Sequence, residues 1–170
     1  MIDKAVVSLM NEQIVKELYS AYLYLGIANY YADEGLSGFE NWFYVQAQEE
    51  MDHAMLIRRY LIDNNEKVVL GQIETPEQDY QDFSAPLGQS LSHEQFVTSL
   101  INNIYAAAQT SKDYRSMQFL DWFVKEQGEE EKNAADLIRK FELFGSDAKG
   151  LYMLDQELAA RAYAPPSLVL

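Results

Sequence analysis

Residues 43–60 read FYVQAQEEMDHAMLIRRY, and the spacing within this stretch decides the fold. Apolar residues recur at intervals of three and four, which places them on one face of an α-helix. The same face carries Glu50 and, one helical turn later, His53. An apolar stripe interrupted by a carboxylate and an imidazole predicts a helix that packs around a buried polar site.

Three other segments of the chain also have an apolar stripe that is interrupted by a carboxylate. Each has an apolar stripe at the same spacing, and each stripe carries one carboxylate near its middle: Glu17, Glu94 and Glu130. A buried, ionised carboxylate without compensation costs many kcal/mol or takes up a proton. The basic residues nearby fall off the stripes and offer little compensation; they are Arg58, Arg59, Lys125 and Lys132.

Together, the four carboxylates and the imidazole form a ligand set for a pair of metal ions. Two divalent cations would supply four positive charges, and a neutral imidazole adds a nitrogen ligand without adding charge. Oxygen-rich sites with one histidine suit hard to borderline ions such as Fe(II) or Mn(II). The pattern therefore predicts a site for two metal ions in the middle of a helical bundle.

The lengths of the periodic segments predict an all-α fold. Helices are expected over residues of about 3–32, 39–64, 84–111, 113–144 and 148–160, with Ser84 as N-cap of the third. The second helix is roughly 40 Å long. The polar segment 66–83 reaches at most about 60 Å, enough to cross the bundle and start the third helix parallel to the second. We expect a four-helix bundle with one long crossover loop and a short fifth helix, forming one domain over residues 1–160 with a tail at 161–170.

Composition excludes several classes of function. The 170 residues include 27 Asp and Glu against 13 Lys and Arg, a net charge of −14. This acidity disfavours nucleic acid and anionic membrane surfaces as partners and favours cations. The absence of cysteine excludes disulfides, iron–sulfur clusters and thiolate zinc sites. Since neither a signal peptide nor a membrane-spanning stretch is recognisable, a cytoplasmic protein is expected.

Some of these residues also have an ordinary structural explanation. The run Glu129-Glu130-Glu131 is typical of a solvated helix face, and Tyr24 lies on an aromatic-rich helix where core packing is its default role. His93 falls one position off its stripe and is interpreted as a packing or surface residue. A single Glu on a stripe often extends to solvent, whereas the same exception at mid-length in four helices favours a site.

Four short motifs connect the chain to a known family. They are ELYS at 17–20, AQEEMDH at 47–53, HEQ at 93–95 and EQGEEEK at 126–132. With them the sequence resembles the ferritins, and among these the bacterial non-haem ferritins, over nearly its whole length. The resemblance implies a ferritin-like bundle, oxidation of Fe(II) to Fe(III) with O2 or H2O2, and storage of ferric mineral inside a homo-oligomeric shell of 24 subunits. The fifth helix would line the four-fold channels of that shell.

The resemblance also implies roles for individual residues. The two irons of the ferroxidase centre would share the ligands of the four stripes, with Glu50 bridging: Glu17, Glu50 and His53 for the first, and Glu50, Glu94 and Glu130 for the second. Gln127 would lie close to the pair, and Tyr24 would be a nearby tyrosine able to supply an electron. A third iron site would be formed by four carboxylates: Glu49, Glu126, Glu129 and Glu130.

The chain departs from related bundles in its fourth helix and tail. Symmetric di-iron bundles carry Glu-x-x-His on two helices, but the fourth helix here has Gln127-x-x-Glu130, which disfavours a bacterioferritin. Met51 stands where bacterioferritins bind haem. Because non-haem bacterial ferritins often carry Met there as well, haem is not expected. The apolar end of the tail, residues 167–170, matches nothing in the family.

Two other functions fit parts of the same pattern. One is the same shell with an inactive centre, which intact ligands at all five positions disfavour. The other is a di-iron oxygenase or a manganese catalase on the same bundle, which would form a monomer or a small oligomer. The size of the assembly separates this second class from a ferritin shell.

Overall fold

The computed structural model describes residues 2–168, and within them it shows five helices and no β-strand. The helices are α1 (Lys4–Asp33), α2 (Ser37–Asp63), α3 (Ala85–Ser111), α4 (Tyr114–Phe144) and α5 (Ala148–Leu158). The prediction of an all-α bundle with a short fifth helix is confirmed. None of the five helices is both long and apolar enough to cross a lipid bilayer. The last two residues of the predicted tail, 169–170, lie outside the described residues.

The beginning of α3 differs from the prediction. Ser84 stands at the N-cap position, but its side chain accepts no hydrogen bond from the helix. Instead, Asp82 Oδ1 accepts hydrogen bonds from Ser84 N at 2.8 Å and from Ala85 N at 3.0 Å. An aspartate thus satisfies free N–H groups at the start of α3, as happens at three other helices, through Asp3, Asp113 and Asp147. At the other end of the chain, α5 ends at Leu158 rather than near residue 160, because residues 159–160 form a turn.

The crossover between α2 and α3 runs along α1. Near the start of α1, Asn11 Nδ2 donates to Lys67 O at 3.2 Å, and Asn11 Oδ1 accepts from Val69 N at 2.7 Å. Near the end of α1, the ring of Tyr80 packs edge-on against Tyr30, with centroids 5.0 Å apart. Asn11 and Tyr30 are about 28 Å apart along the helix axis. The crossover therefore passes most of the bundle's length and starts α3 parallel to α2.

Two apolar clusters fill the bundle on either side of a polar layer. The cluster at the end where α1 begins includes the large, fully buried side chains of Met10, Ile14, Ile57, Leu61, Ile101 and Phe123. The cluster at the opposite end is richer in aromatic rings and includes Leu23, Tyr24, Ile27, Tyr31, Phe39 and Phe43. The layer between them holds ten buried polar side chains: Gln13, Glu17, Ser20, Gln46, Glu50, His53, Ser90, Glu94, Gln127 and Glu130. Because the apolar ends hold the helices together, the middle of the bundle can keep polar groups.

A buried carboxylate docks α5 against the beginning of α2. Asp155 is 5% exposed, and its Oδ1 accepts hydrogen bonds from Gly38 N at 2.7 Å and Phe39 N at 3.1 Å. The N-cap residue Leu36 offers no side-chain acceptor, so Asp155 supplies the negative charge that a helix N-terminus favours. A Cβ atom on Gly38 would lie 1.7 Å from Asp155 O, so this close approach requires glycine.

Asp155→Ala should lower the free energy of unfolding by about 2–3 kcal/mol, because two buried N–H groups lose a charged acceptor. Chemical denaturation of the metal-free protein, followed by circular dichroism, measures the change. Asp33→Ala at the exposed end of α1 is the control and should shift stability by less than about 0.5 kcal/mol. Unchanged stability in Asp155→Ala would show that another contact holds α5.

Candidate metal centre

All five residues predicted as core ligands lie in the polar layer. Glu17 comes from α1, Glu50 and His53 from α2, Glu94 from α3 and Glu130 from α4. Each is at most 5% exposed. The 3.6-residue period explains this placement, since each side chain shares a face with the apolar residues one turn before and after it.

The tightest group in the layer consists of Glu17, Glu50 and His53. One ligand atom of each residue lies within 4.8 Å of the other two, which is close enough for a single metal ion to contact all three. His53 Nδ1 is 3.3 Å from Glu50 Oε2. Glu17 Oε2 is buried and has no hydrogen-bond partner among the described residues. A buried acceptor without a partner is costly, so this orphaned oxygen fits a metal ligand.

Glu94 faces the same layer and is held by two neutral donors. The Tyr24 hydroxyl donates to Glu94 Oε1, and Gln127 Nε2 donates to Glu94 Oε2 at 3.1 Å. A carboxylate oxygen has two lone pairs, so each oxygen can accept this bond and still contact a cation. The structure thus places Tyr24 and Gln127 directly beside a predicted ligand. The ring centroids of Tyr24 and Phe43 are 5.8 Å apart. Tyr24 therefore packs in the apolar core and also lies beside the site.

Two buried glutamines, which the sequence patterns did not assign a role, also hold carboxylates in this layer. Gln13 Nε2 donates to Glu17 Oε1 at 2.9 Å. Gln46 Nε2 donates to Glu130 Oε2 at 2.8 Å and to Glu50 Oε1 at 3.3 Å. The signal that could have identified them is their spacing, because each glutamine stands one turn before a stripe glutamate on its own helix.

Residues predicted for a third iron site are divided into two sets. Glu126 and Glu130 each place a carboxylate oxygen within 4.8 Å of a His53 ring nitrogen and of each other. Glu49 turns to the tail, where its Oε2 is 2.6 Å from Arg161 Nη2. Glu129 is exposed on the surface of α4, where its Oε1 forms an ion pair with Lys125 Nζ at 3.3 Å. The structure therefore brings together only half of the predicted carboxylates.

Among the described residues the four stripe carboxylates have no lysine or arginine partner, although His53 lies beside Glu50. No Lys or Arg within residues 2–168 forms a salt bridge with Glu17, Glu50, Glu94 or Glu130. Burial, followed by the charge of Glu50, raises the pKa of Glu17 to about 8. Burial likewise raises the pKa of Glu94. It raises the pKa of Glu50 and of Glu130 well above the usual range, and the charge of a neighbouring carboxylate is the second cause of these two shifts. At neutral pH the metal-free layer holds protons that divalent cations would replace.

Two further residues from the sequence patterns lie at the edge of this layer. His93 is half-buried, with Nε2 2.8 Å from Ser20 Oγ and its ring 5.7 Å from that of Tyr19. Burial, followed by the charge of Lys16, lowers the pKa of His93 to about 4, so it is a neutral packing residue at physiological pH. Met51 is 45% exposed on α2.

Comparison with known proteins shows which family this chain resembles. The family model for a ferritin-like domain matches residues 7–144. A bacterial non-heme ferritin from Campylobacter jejuni is 38% identical over 156 residues, covering 92% of this chain and 93% of that protein. A bacterial non-heme ferritin from Staphylococcus epidermidis is 34% identical over 163 residues, covering 96% of this chain and 98% of its own.

Solved structures show the same similarity. An open-pore ferritin from the hyperthermophilic archaeon Archaeoglobus fulgidus is 39% identical with a TM-score of 0.93, covering 95% of this chain and 100% of that one. A closed form of that ferritin, made by site-directed mutagenesis, has a TM-score of 0.94, covering 96% of this chain and 100% of its own. The predicted resemblance to bacterial non-haem ferritins is thereby confirmed, and the chain belongs to the ferritin family.

Proposed function

We propose that this protein stores iron and oxidises Fe(II) to Fe(III) at the layer of four glutamates and one histidine. The observation that carries the proposal is the burial of Glu17, Glu50, His53, Glu94 and Glu130 without a Lys or Arg salt bridge among the described residues. Four carboxylates match the charge of two Fe(II) ions, and an oxygen-rich set with one nitrogen suits iron. The orphaned Glu17 Oε2 supports the same conclusion.

Iron is the substrate of this reaction. We assign Glu17, Glu50 and His53 to the first Fe(II), and Glu94 and Glu130 to the second, with Glu50 shared. Two adjacent Fe(II) ions each give up one electron, so one O2 with two protons becomes H2O2 and no free one-electron product forms. The raised pKa values of the carboxyls imply that binding of Fe(II) releases protons from the layer.

Neutral residues around the ligands position them. Gln13, Gln46 and Gln127 each donate to a ligand carboxylate without adding charge. Tyr24, which donates to Glu94, is close enough to supply an electron to the site. A cavity with room for about one water molecule adjoins Glu94 and Glu130, and we infer that the oxidant uses this space.

Storage of the ferric product requires a closed shell, and we infer that 24 subunits form it in the cytoplasm. Large exposed apolar side chains support an assembly. On α1 and the crossover they are Tyr22, Leu25, Val69 and Leu70. On α4 and α5 they are Leu143, Phe144, Tyr152 and Met153. Large exposed apolar side chains that neighbour one another in sequence, such as Leu143 and Phe144 or Tyr152 and Met153, are typical of contacts between subunits. A third iron at Glu49, Glu126, Glu129 and Glu130 belongs to the same proposal.

Size-exclusion chromatography with light scattering tests the shell. A ferritin shell of this 19.6 kDa chain should elute at about half a megadalton. A monomer or small oligomer would contradict storage and favour a di-iron oxygenase or manganese catalase. Stopped-flow oxidation of Fe(II) then separates an active shell from one with an inactive centre, because only the active shell oxidises two Fe(II) per subunit rapidly.

A further inference from the structure

The side chain of Arg161, beyond the end of α5, is seated against the ligand layer. Its Nη2 donates to Glu49 Oε2 at 2.6 Å, and its Nη1 donates to Gln46 Oε1 at 2.9 Å and to Trp42 O at 3.1 Å. The guanidinium carbon lies 4.2 Å from the Trp42 ring centroid, a cation–π contact. The side chains of Arg161 and Glu49 are 16% and 22% exposed, so this pair is largely shielded from solvent.

The segment around Arg161 is fixed along α2 and α4; we call residues 159–168 the C-terminal strap. Tyr163 OH donates to Asp52 Oδ2 at 2.5 Å on α2. Trp122 Nε1 on α4 donates to Ser167 Oγ at 3.0 Å, and Leu168 packs against the apolar cluster where α1 begins. The C-terminal strap therefore crosses the outside of the polar layer between these two helices and places the side chain of Arg161 beside Glu49.

Glu49 is one of the four carboxylates that we assign to the third iron. It lies close enough to Glu126 for the charge of that carboxylate to act on it. Arginine stays charged at every physiological pH and binds carboxylates through well-directed N–H donors. A divalent cation at Glu49 must therefore break a short ion pair and then stay beside a positive charge. Within residues 2–168, no arginine or lysine competes in this way for Glu17 or Glu50.

We propose that Arg161 is a built-in cation that occupies Glu49 and makes the third cation site weaker than the two-metal centre, so that the centre fills first. This inference rests on the proposed function. It makes Arg161 a positioning residue that acts through Glu49 and Gln46 and sets the order in which cations bind. In this respect the tail has a role at the site, although the family resemblance offered none for it.

Zn²⁺ alone, titrated into the metal-free shell by calorimetry, tests the inference without redox chemistry. Arg161→Gln should tighten the third site by about tenfold, because a charge-assisted hydrogen bond of this kind is worth about one decade of affinity. Affinity at the two-metal centre should change by less than about threefold. Arg161→Lys keeps the charge and should remain close to wild type. An unchanged third site in Arg161→Gln would overturn the inference.

Lys125→Gln is the matched control, because it removes one positive charge beside Glu129, another carboxylate of the same predicted site. Lys125 is 78% exposed, so its ion pair is weak and the third site should change by less than about twofold. An effect as large as that of Arg161→Gln would mean that net charge alone matters. In a Glu49→Gln background, Arg161→Gln should have no further effect on the third site.

Crystals of the wild-type protein soaked in Zn²⁺ give a result that needs no variant. As anomalous density appears at Glu49, Arg161 Nη2 should move from 2.6 Å to more than about 4 Å from Glu49 Oε2. A third cation bound with the ion pair intact would refute the inference. Failure to bind two Zn²⁺ at the layer would instead refute the proposed function, so the two failures are distinguishable.

Discussion

Glu50→Gln should slow the rapid oxidation of Fe(II) by about 100-fold or more while the bundle stays folded. Glu50 is the one carboxylate assigned to both irons, and its Oε2 lies 3.3 Å from His53 Nδ1. Glutamine has nearly the same volume but no charge, and it places an N–H donor where a metal ligand is needed. Stopped-flow absorbance after mixing Fe(II) with aerated protein measures the rate.

Glu40→Gln is the control for this experiment. Glu40 lies on the same helix, outside the polar layer, and is only half-buried. The control should oxidise Fe(II) within about twofold of wild type. Oxidation by Glu50→Gln at the wild-type rate would contradict the assignment of Glu50 as the shared ligand.

The metal-free protein should lose stability as the pH rises from about 4.5 to about 8. Burial and the neighbouring Glu50 raise the pKa of Glu17 from 4.5 to about 8. Between these values the folded chain keeps a proton that the unfolded chain has released, so the native state binds more protons and stability falls with pH. One such group contributes up to about 1.4 kcal/mol per pH unit. The raised pKa of Glu50 and of Glu130 acts in the same direction.

Denaturant midpoints of the metal-free protein at pH 5, 6, 7 and 8 measure this dependence. Glu17→Gln removes one titrating carboxyl and should make the curve flatter, with a gain in stability at pH 8. Saturating Zn²⁺ should reverse the slope, because the metal binds the deprotonated carboxylates. Stability that rises with pH in the metal-free protein would contradict burial of uncompensated carboxylates.

The ligand glutamates could be predicted from the sequence because each violates a strong local pattern. Glu17, Glu50, Glu94 and Glu130 stand where a helix of period 3.6 needs an apolar residue, and packing of four helices then brings them together. Gln13 and Gln46 stand on the same stripes, but an amide on a stripe has no distinctive chemistry. Their role depends on which carboxylate each one faces, and this is a property of the packed bundle.

Contacts made by the tail could not be predicted from local patterns. Arg161 meets Glu49 across 112 positions in the sequence, and nothing within the tail itself indicates that partner. The same limit explains the division of the third-site residues, since Glu49, Glu126 and Glu129 appear equivalent by motif. Their orientations depend on the nearest base, which is Arg161 for Glu49 and Lys125 for Glu129.

The two-metal centre is tested most directly by anomalous diffraction at the iron edge from crystals soaked anaerobically in Fe(II). We expect two iron peaks per chain, about 3.5–4 Å apart. One should contact Glu17, Glu50 and His53, and the other should contact Glu50, Glu94 and Glu130. A single peak, or iron bound only outside this layer, would contradict the account.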